Sequence, residues 1–233
     1  MLYISPPFGN YFTYKDAIPV RGTFTLLKRP GLIYHTLRSL RPVRGGWRNQ
    51  IGFRNCGISN VTLHSDCVYS ICGLSNTNEW RALLRILPQG TQIEMNLSCP
   101  NVRSMPIDDI TLSEFTFKFP SLIVKIRYDS PNDMILRLAD LDVQTIHTSN
   151  TIPISKGGVS GRQLKEVNIP AVERIAKVFK GKIIAGGGIY NSSDVIDYRN
   201  AGATDYSIST AYISRPWNIK SIYEEANRSL WPS

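Results

Sequence analysis

Residues 94–101 read Glu-Met-Asn-Leu-Ser-Cys-Pro-Asn, and their types and spacing could do chemistry. An apolar run from Thr91 to Leu97 gives way to two amides, a hydroxyl and a thiol, and Pro100 stiffens the exit. A buried strand would be expected to finish in turn residues instead. Asn96, Cys99 and Asn101 together read as a site, with a proton acceptor held between groups that both donate and accept hydrogen bonds.

The rest of the composition bounds what such a site can belong to. A chain of 233 residues, 42% of them hydrophobic, is globular and can bury one sizeable core. No apolar stretch approaches the roughly 18–20 residues of a membrane span. The opening Met-Leu-Tyr-Ile-Ser-Pro-Pro has neither the basic nor the apolar region of a signal peptide, so the expectation is a cytoplasmic protein. None of the four cysteines forms a Cys-x-x-Cys pair, which argues against a zinc site or a redox dithiol. Cys56, Cys67 and Cys72 read as inert buried thiols. The formal charge is +9, and its densest portion is residues 28–54, where seven Lys and Arg side chains meet no acidic residue. That stretch is either a solvated basic surface or an attractor for an anionic substrate, a cofactor or nucleic acid.

The elements that must position the site alternate between strand and helix. Eight strands are expected: Leu2–Ile4, Val20–Leu26, Val68–Gly73, Ile93–Leu97, Leu122–Ile126, Val143–His147, Lys182–Ala185 and Asp205–Ser209. Helices are expected over Asn76–Leu87, near Asn132–Leu141, over Ala171–Lys180 with Pro170 near the first turn, from Ser192 or Ser193, and near Trp217–Leu230. Strands alternating with helices imply an α/β fold with a parallel sheet, and eight suit a compact (β/α)8 TIM barrel, its first strand short or incomplete. A doubly wound open sheet is the alternative. Polar or glycine residues recur at the carboxyl end of strand after strand, namely Asn96 to Asn101, Lys125, Asn150 and Thr151, Gly186 to Gly188, and Ser209 and Thr210. A barrel gathers these ends on one face, which favours the barrel. No linker or repeat divides residues 1–233, so a single domain is expected.

Several separated motifs resemble the dihydroorotate dehydrogenase family, in order along the chain. Asn49-Gln-Ile-Gly-Phe-Arg-Asn55 resembles the family's Asn-x-x-Gly-Leu-x-Asn loop, and Glu94 to Asn101 its Asn-Leu-Ser-Cys-Pro-Asn core. Ile123-Val-Lys125 resembles the strand that presents a flavin-contacting lysine. Ser149-Asn-Thr151 and Gly157-Gly-Val-Ser-Gly161 resemble its Asn-Thr and Gly-Gly-Leu-Ser-Gly segments. Ile183 to Ile189 and Ala201 through Thr210 resemble its phosphate-binding end.

The resemblance implies an FMN-dependent barrel oxidising dihydroorotate to orotate in pyrimidine biosynthesis. Asn49, Asn96, Asn101 and Asn150, with Thr151, fall on substrate-binding positions, and carboxamides suit a flat ring of alternating donors and acceptors. Cys99 matches the base of the soluble, class 1 branch, taking the C5 proton while the C6 hydride passes to flavin N5. Lys125, Ser160, Gly161, Gly187, Gly188, Ser209 and Thr210 fall on cofactor-binding positions, the phosphate lying on the glycines and on the N-terminus of the helix that opens near Ser192. The resemblance implies a small-molecule substrate, no membrane or nucleic-acid partner, and a homodimer or hetero-oligomer in which an electron-transfer subunit can take part.

The front of the chain departs from the family. The Ala-Ser-Gly-like flavin loop is abbreviated or absent, and Gly22 stands where a Lys-Thr-x-Thr run carries its lysine. Arg21 is the neighbouring cation, but neighbours on a strand face opposite sides. Two other readings stand beside the first: a transfer-RNA dihydrouridine synthase, whose motif also places a cysteine before proline, and a flavin-poor barrel with a binding role.

Overall fold

The computed structural model describes residues 1–74, 77–98, 107–148 and 150–228. Strand β1 (Leu2–Ile4) leads through a 3-10 turn at Phe8–Asn10 into β2 (Ile18–Phe24). Helix α1 (Leu32–Ser39), β3 (Arg41–Val43) and β4 (Gly46–Asn49) fill the connection to β5 (Val68–Ile71). Then follow α2 (Thr77–Ile86), β6 (Gln92–Asn96), α3 (Asp109–Lys118), β7 (Ile123–Ile126), α4 (Asn132–Asp140) and β8 (Thr145–Thr148). A second excursion, β9 (Ile152–Ile154) and β10 (Gly157–Gly161), precedes α5 (Gln163–Val178) and β11 (Lys182–Gly186). The remaining elements are α6 (Ser192–Asn200), β12 (Asp205–Ile208), α7 (Ala211–Ser214) and α8 (Ile219–Ala226).

Eight strands close into a barrel in the order β1, β12, β11, β8, β7, β6, β5, β2, all pairs parallel. Each expected strand is present. The first is short but not open, because β1 pairs with β12 on one side and with β2 on the other.

The two-residue period of the strands sorts side chains between two cores. Ile71, Met95, Val124, Ile146 and Ile208 point outward and join the core that the helices cover. Val20, Val68, Ile123 and Ile184 point inward and plug the barrel as a separate cluster, with Tyr3 and Ile18 packed against it. Burying each such aliphatic side chain stabilises the fold by about 1.5–3 kcal/mol. Two residues beyond the plug, the same face presents Ser70, Lys125 and Gly186. The apolar filling therefore gives way to polar groups toward the carboxyl ends.

A second sheet, β3-β4-β10-β9, is antiparallel and not among the expected elements. Its strands lie in the connections that leave the carboxyl ends of β2 and β8, so it belongs to the same face of the barrel. Gly46 and Gly161 are register partners, and a Cβ on Gly161, where φ is +134°, would lie 2.5 Å from the Gly46 Cα. The close approach of β4 and β10 requires glycine there.

Helix α5 corrects the expectation of a helix over Ala171–Lys180. It begins at Gln163, and Pro170 sits inside it rather than in its first turn. Tertiary contacts hold the extra turns. Arg162 N–H donates to Gly45 O at 2.7 Å. The buried Asn168 donates from Nδ2 to Thr148 O (2.8 Å) and Gly186 O (2.7 Å), and its Oδ1 accepts from Thr148 Oγ1 (2.8 Å). That amide fixes the carboxyl ends of β8 and β11 together. Cys67 and Cys72 are buried as expected, but Cys56 is exposed, because it lies in the surface loop before Gly57. Among the described residues no helix is long and apolar enough to cross a membrane.

Candidate active site

Above the plug the barrel interior turns ionic. Glu94 on β6, Lys125 on β7 and His147 on β8 are contributed by adjacent strands and are all buried. His147 Nδ1 lies 2.6 Å from Glu94 Oε2, and Lys125 Nζ lies 4.0 Å from Glu94 Oε1. Burial alone would push the Glu94 carboxyl up. The Lys125 charge and the His147 ring outweigh it and hold the group at about 2. Burial, reinforced by the Lys125 charge and opposed by Glu94, pulls His147 down to about 4. At neutral pH Glu94 is thus a carboxylate, and His147 is a neutral imidazole donating its Nδ1–H to it. His147 Nε2 is buried without a hydrogen-bond partner.

The separation between Lys125 and Glu94 is that of an ion pair and too long for a hydrogen bond. The ammonium is neutralised, yet its three N–H groups remain available to an acceptor above the deck. An aliphatic strand carrying one inward lysine can provide this only with a carboxylate inside the barrel, which Glu94 supplies.

The amides form a layer on this deck. Asn96 Nδ2 donates to Thr23 Oγ1 at 3.0 Å, and Thr23 Oγ1 lies 3.0 Å from Ser70 Oγ. Asn96 Oδ1 accepts from the Ser98 N–H (3.1 Å) and hydroxyl (2.8 Å). Asn150 Nδ2 donates to that same Ser98 Oγ at 2.7 Å, and Thr151 N–H to Asn150 Oδ1 at 2.7 Å. The structure thus brings Asn96, Asn150 and Thr151 together through Ser98. Cys99 and Asn101 lie outside the described residues. Asn49 ends β4, opposite Gly158 in the second sheet, beside which Ser160 donates its hydroxyl to Trp47 O at 3.2 Å.

Arg21 does not stand in for the missing lysine. Its register partner is Tyr69, an outward residue of the helix-side core, and its charge acts on the buried Cys67. Partners in register share a face, so Arg21 points away from the deck. Gly22 is instead held by Asn10, whose Oδ1 accepts from Gly22 N–H at 2.9 Å and whose Nδ2 donates to Gly22 O at 3.2 Å.

At the opposite rim, Gly186 pairs with Ser207, so Gly187 and Gly188 leave the barrel beside Ser209 and Thr210. The glycines have φ of +91° and +72°, and a Cβ on Gly188 would lie 2.8 Å from Lys165 Cβ. Ser209 donates its hydroxyl to Pro6 O at 3.2 Å, and Ser5 Oγ lies 2.5 Å from Ser207 Oγ. At the N-terminus of α6, where the resemblance puts part of a phosphate site, the chain also supplies an anion of its own. Asn191 and Asp194 close a capping box there, and the buried Asp194 carboxylate accepts from Tyr190 N–H (2.8 Å), Arg162 Nη1 (3.0 Å) and Lys165 Nζ (2.5 Å). The chain's own anion occupies the positive end of that helix.

Sequence reading gave no role to Glu94, His147, Ser70, Thr23 or Ser98. The available signal was a charged or polar side chain at an inward position of an otherwise aliphatic strand. Glu94 within Gln92–Asn96 and His147 within Thr145–Thr148 both carry it.

Comparison with known proteins agrees with this barrel. The dihydroorotate dehydrogenase family profile matches residues 129–230. The catalytic subunit of dihydroorotate dehydrogenase B (NAD(+)) from Lachnoclostridium phytofermentans is 25% identical, covering 77% of this chain and 72% of its own. The subunits of that name from Geobacter metallireducens and Desulforamulus reducens are 28% and 27% identical, covering 82% and 95% of this chain and 74% and 85% of theirs. Among solved structures, the dihydroorotate dehydrogenase of Eimeria tenella in complex with ferulenol superposes with a TM-score of 0.69 at 18% identity, over 98% of this chain and 81% of that one, a likeness of fold. By profile and relatives together, the chain is similar to the dihydroorotate dehydrogenase family.

Proposed function

We propose that residues 1–233 form a single FMN-binding barrel that oxidises dihydroorotate to orotate in pyrimidine biosynthesis, in the manner of the soluble, cysteine-dependent class. The observation that carries this reading is the buried Lys125 ammonium, neutralised by Glu94 at 4.0 Å, on the residue that pairs in register with Asn96 of the Asn96–Ser98–Asn150 network. A neutral deck with one uncommitted cationic donor fits the polar edge of a flavin ring, and Gly187, Gly188, Ser209 and Thr210 are the groups at the rim that would hold its phosphate. Ser160 and Gly161 of the second sheet would close over the cofactor.

FMN bound there supplies the acceptor for the C6 hydride. Asn96 and Asn150 hold the flat ring of the substrate by amide pairing, with Asn49, Asn101 and Thr151 completing the clamp. The Ser98 hydroxyl fixes the rotamers of both described asparagines, so they are oriented before substrate arrives. Cys99 takes the C5 proton as a thiolate. The relatives named as catalytic subunits of an NAD(+) enzyme support an electron-transfer partner subunit, an oligomeric assembly and a cytoplasmic setting.

The test is direct. The protein is purified with FMN present, gel-filtered and mixed anaerobically with dihydroorotate. A yellow protein that dihydroorotate bleaches is the expected result. Colourless protein that takes up no FMN, or a flavin that dihydroorotate leaves oxidised, overturns the proposal.

A further inference from the structure

The connection between β2 and β5 builds a second polar cavity that shares no lining residue with the Glu94–Lys125 deck. Its volume is about 540 Å³, and its walls are α1, the end of β4 with the loop that follows, and Lys156 from the β9–β10 turn. Arg29, Arg38, Arg48, Arg54 and Lys156 line it together with His35, and no carboxylate does. Among the described residues none of the five cations is ion-paired with an Asp or Glu. Arg29 Nε and Arg54 Nε are moreover buried with no hydrogen-bond partner.

A merely solvated basic surface would leave those N–H groups in water. Here two guanidinium donors are withdrawn from solvent and unmet, which costs more than leaving them exposed. The cations are also held in place. The backbones of Arg29 and Asn55 exchange two hydrogen bonds of 2.9 Å, and Arg29 Nη2 donates to Gly52 O at 3.2 Å. Asn55 Oδ1 accepts from Gly57 N–H at 2.7 Å, while Ser39 Oγ accepts from Gln50 N–H at 3.0 Å and ties α1 to the loop. Cations without carboxylate partners around a concave space suit an anionic ligand.

We propose that this cavity binds a small molecule bearing a di- or triphosphate. Five positive charges around one cavity exceed what a single phosphate dianion neutralises, and a di- or triphosphate supplies the missing charge and acceptor oxygens. The volume is that of a small-ligand pocket rather than of an extended groove. Two rings line it, Tyr34 and His35, and they meet each other edge to face with centroids 5.3 Å apart, while Tyr34 is engaged further. Its hydroxyl accepts from Arg38 Nη1 at 2.5 Å and the same guanidinium lies 5.7 Å from its centroid, so it offers no free platform on which the bases of a nucleic acid could stack. The inference stands on this cavity alone and does not depend on the proposed oxidation.

Calorimetric titration of the full chain with sodium tripolyphosphate tests it. Saturable one-to-one binding is expected, weakening steeply between about 50 and about 300 mM NaCl. Arg38→Gln, Arg48→Gln and Lys156→Gln should each weaken it about tenfold and the triple variant at least about a hundredfold. Lys220→Gln, which removes an exposed charge on α8, should leave binding unchanged, and matching thermal unfolding curves verify that every variant is folded. No saturable binding at millimolar tripolyphosphate, or native affinity in the triple variant, overturns the proposal. So does a single-stranded RNA oligomer that displaces tripolyphosphate with an affinity rising with its length.

Discussion

Replacing Glu94 by Gln isolates the charge that holds the deck together. The amide keeps the shape, and its oxygen can still accept the His147 Nδ1–H now bound at 2.6 Å. What disappears is the negative charge 4.0 Å from the Lys125 ammonium. At that distance, with the effective dielectric that suits protein sites, the attraction is about 4 kcal/mol. The Glu94 and Lys125 side chains are only 1% and 9% exposed, so water replaces little of it, and breaking a buried pair typically costs about 3–5 kcal/mol. Urea unfolding at pH 7.5 should therefore show a loss of about 4 kcal/mol with an unchanged m-value. Lys125→Met alone leaves the carboxylate without its cation and should cost about 3 kcal/mol. The double variant, which buries neither charge, should recover most of both losses, giving a coupling of several kcal/mol. A loss below about 1 kcal/mol for Glu94→Gln, or strict additivity in the double variant, would falsify the claim that this ion pair organises the barrel interior.

Three further perturbations read other parts of the site. Cys99→Ala should largely abolish flavin reduction by dihydroorotate while orotate still binds, and stopped-flow reduction at the native rate would refute Cys99 as the base. His147 is neutral when folded because its pKa is lowered to about 4, so the unfolded chain binds the extra proton first as pH falls through the ordinary histidine value. Its contribution is complete above pH ~6.5 and lost on descent toward pH 4, about 2 kcal/mol by pH 5; His147→Leu should flatten that part of the stability profile, and an unchanged slope would rule the histidine out. Gly161→Ala places a methyl 2.5 Å from Gly46 Cα at a φ of +134° and should cost at least about 2 kcal/mol, so a melting temperature equal to that of the native chain would show that β4 and β10 are not in close contact.

The barrel was legible in the sequence because its strands alternate with helices and end in polar residues, signals that are local and periodic. Lys125 and Asn96 could be singled out for the same reason, each breaking an aliphatic pattern at a strand's carboxyl end. The second sheet was not legible. Arg41–Val43 and Ile152–Ile154 are too short for a period to show, and β4 and β10 become strands only because glycines let them approach. The long α5 was hidden by Pro170, an ordinary helix-start signal that the Asn168 clamp on β8 and β11 overrides. The glycines at Gly187–Gly188 were legible as a rim. That the helix beyond them is capped by Asp194 was not, because the capping box turns on two side chains whose partners are backbone groups.

Charge is divided between the two polar sites in a way that separates their modes of binding. On the deck, Lys125 is balanced by Glu94 and His147 is neutral. Gly22 stands at the expected lysine, and Arg21 points to the outer core, so neither position adds a cation to the amide layer. An orotate carboxylate placed there must be held by directed hydrogen bonds from amides, which ionic strength hardly affects. The cavity beside α1 is the converse, five cations with no counter-charge among its lining residues, where attraction is Coulombic and screened by salt. Between about 50 and about 300 mM NaCl, orotate affinity should therefore change by less than about threefold, while tripolyphosphate affinity should fall by more than about tenfold. Both can be measured by titration on one preparation. If orotate proves the more salt-sensitive ligand, the deck carries positive charge that Glu94 does not cancel, and the neutral-deck account of substrate binding fails.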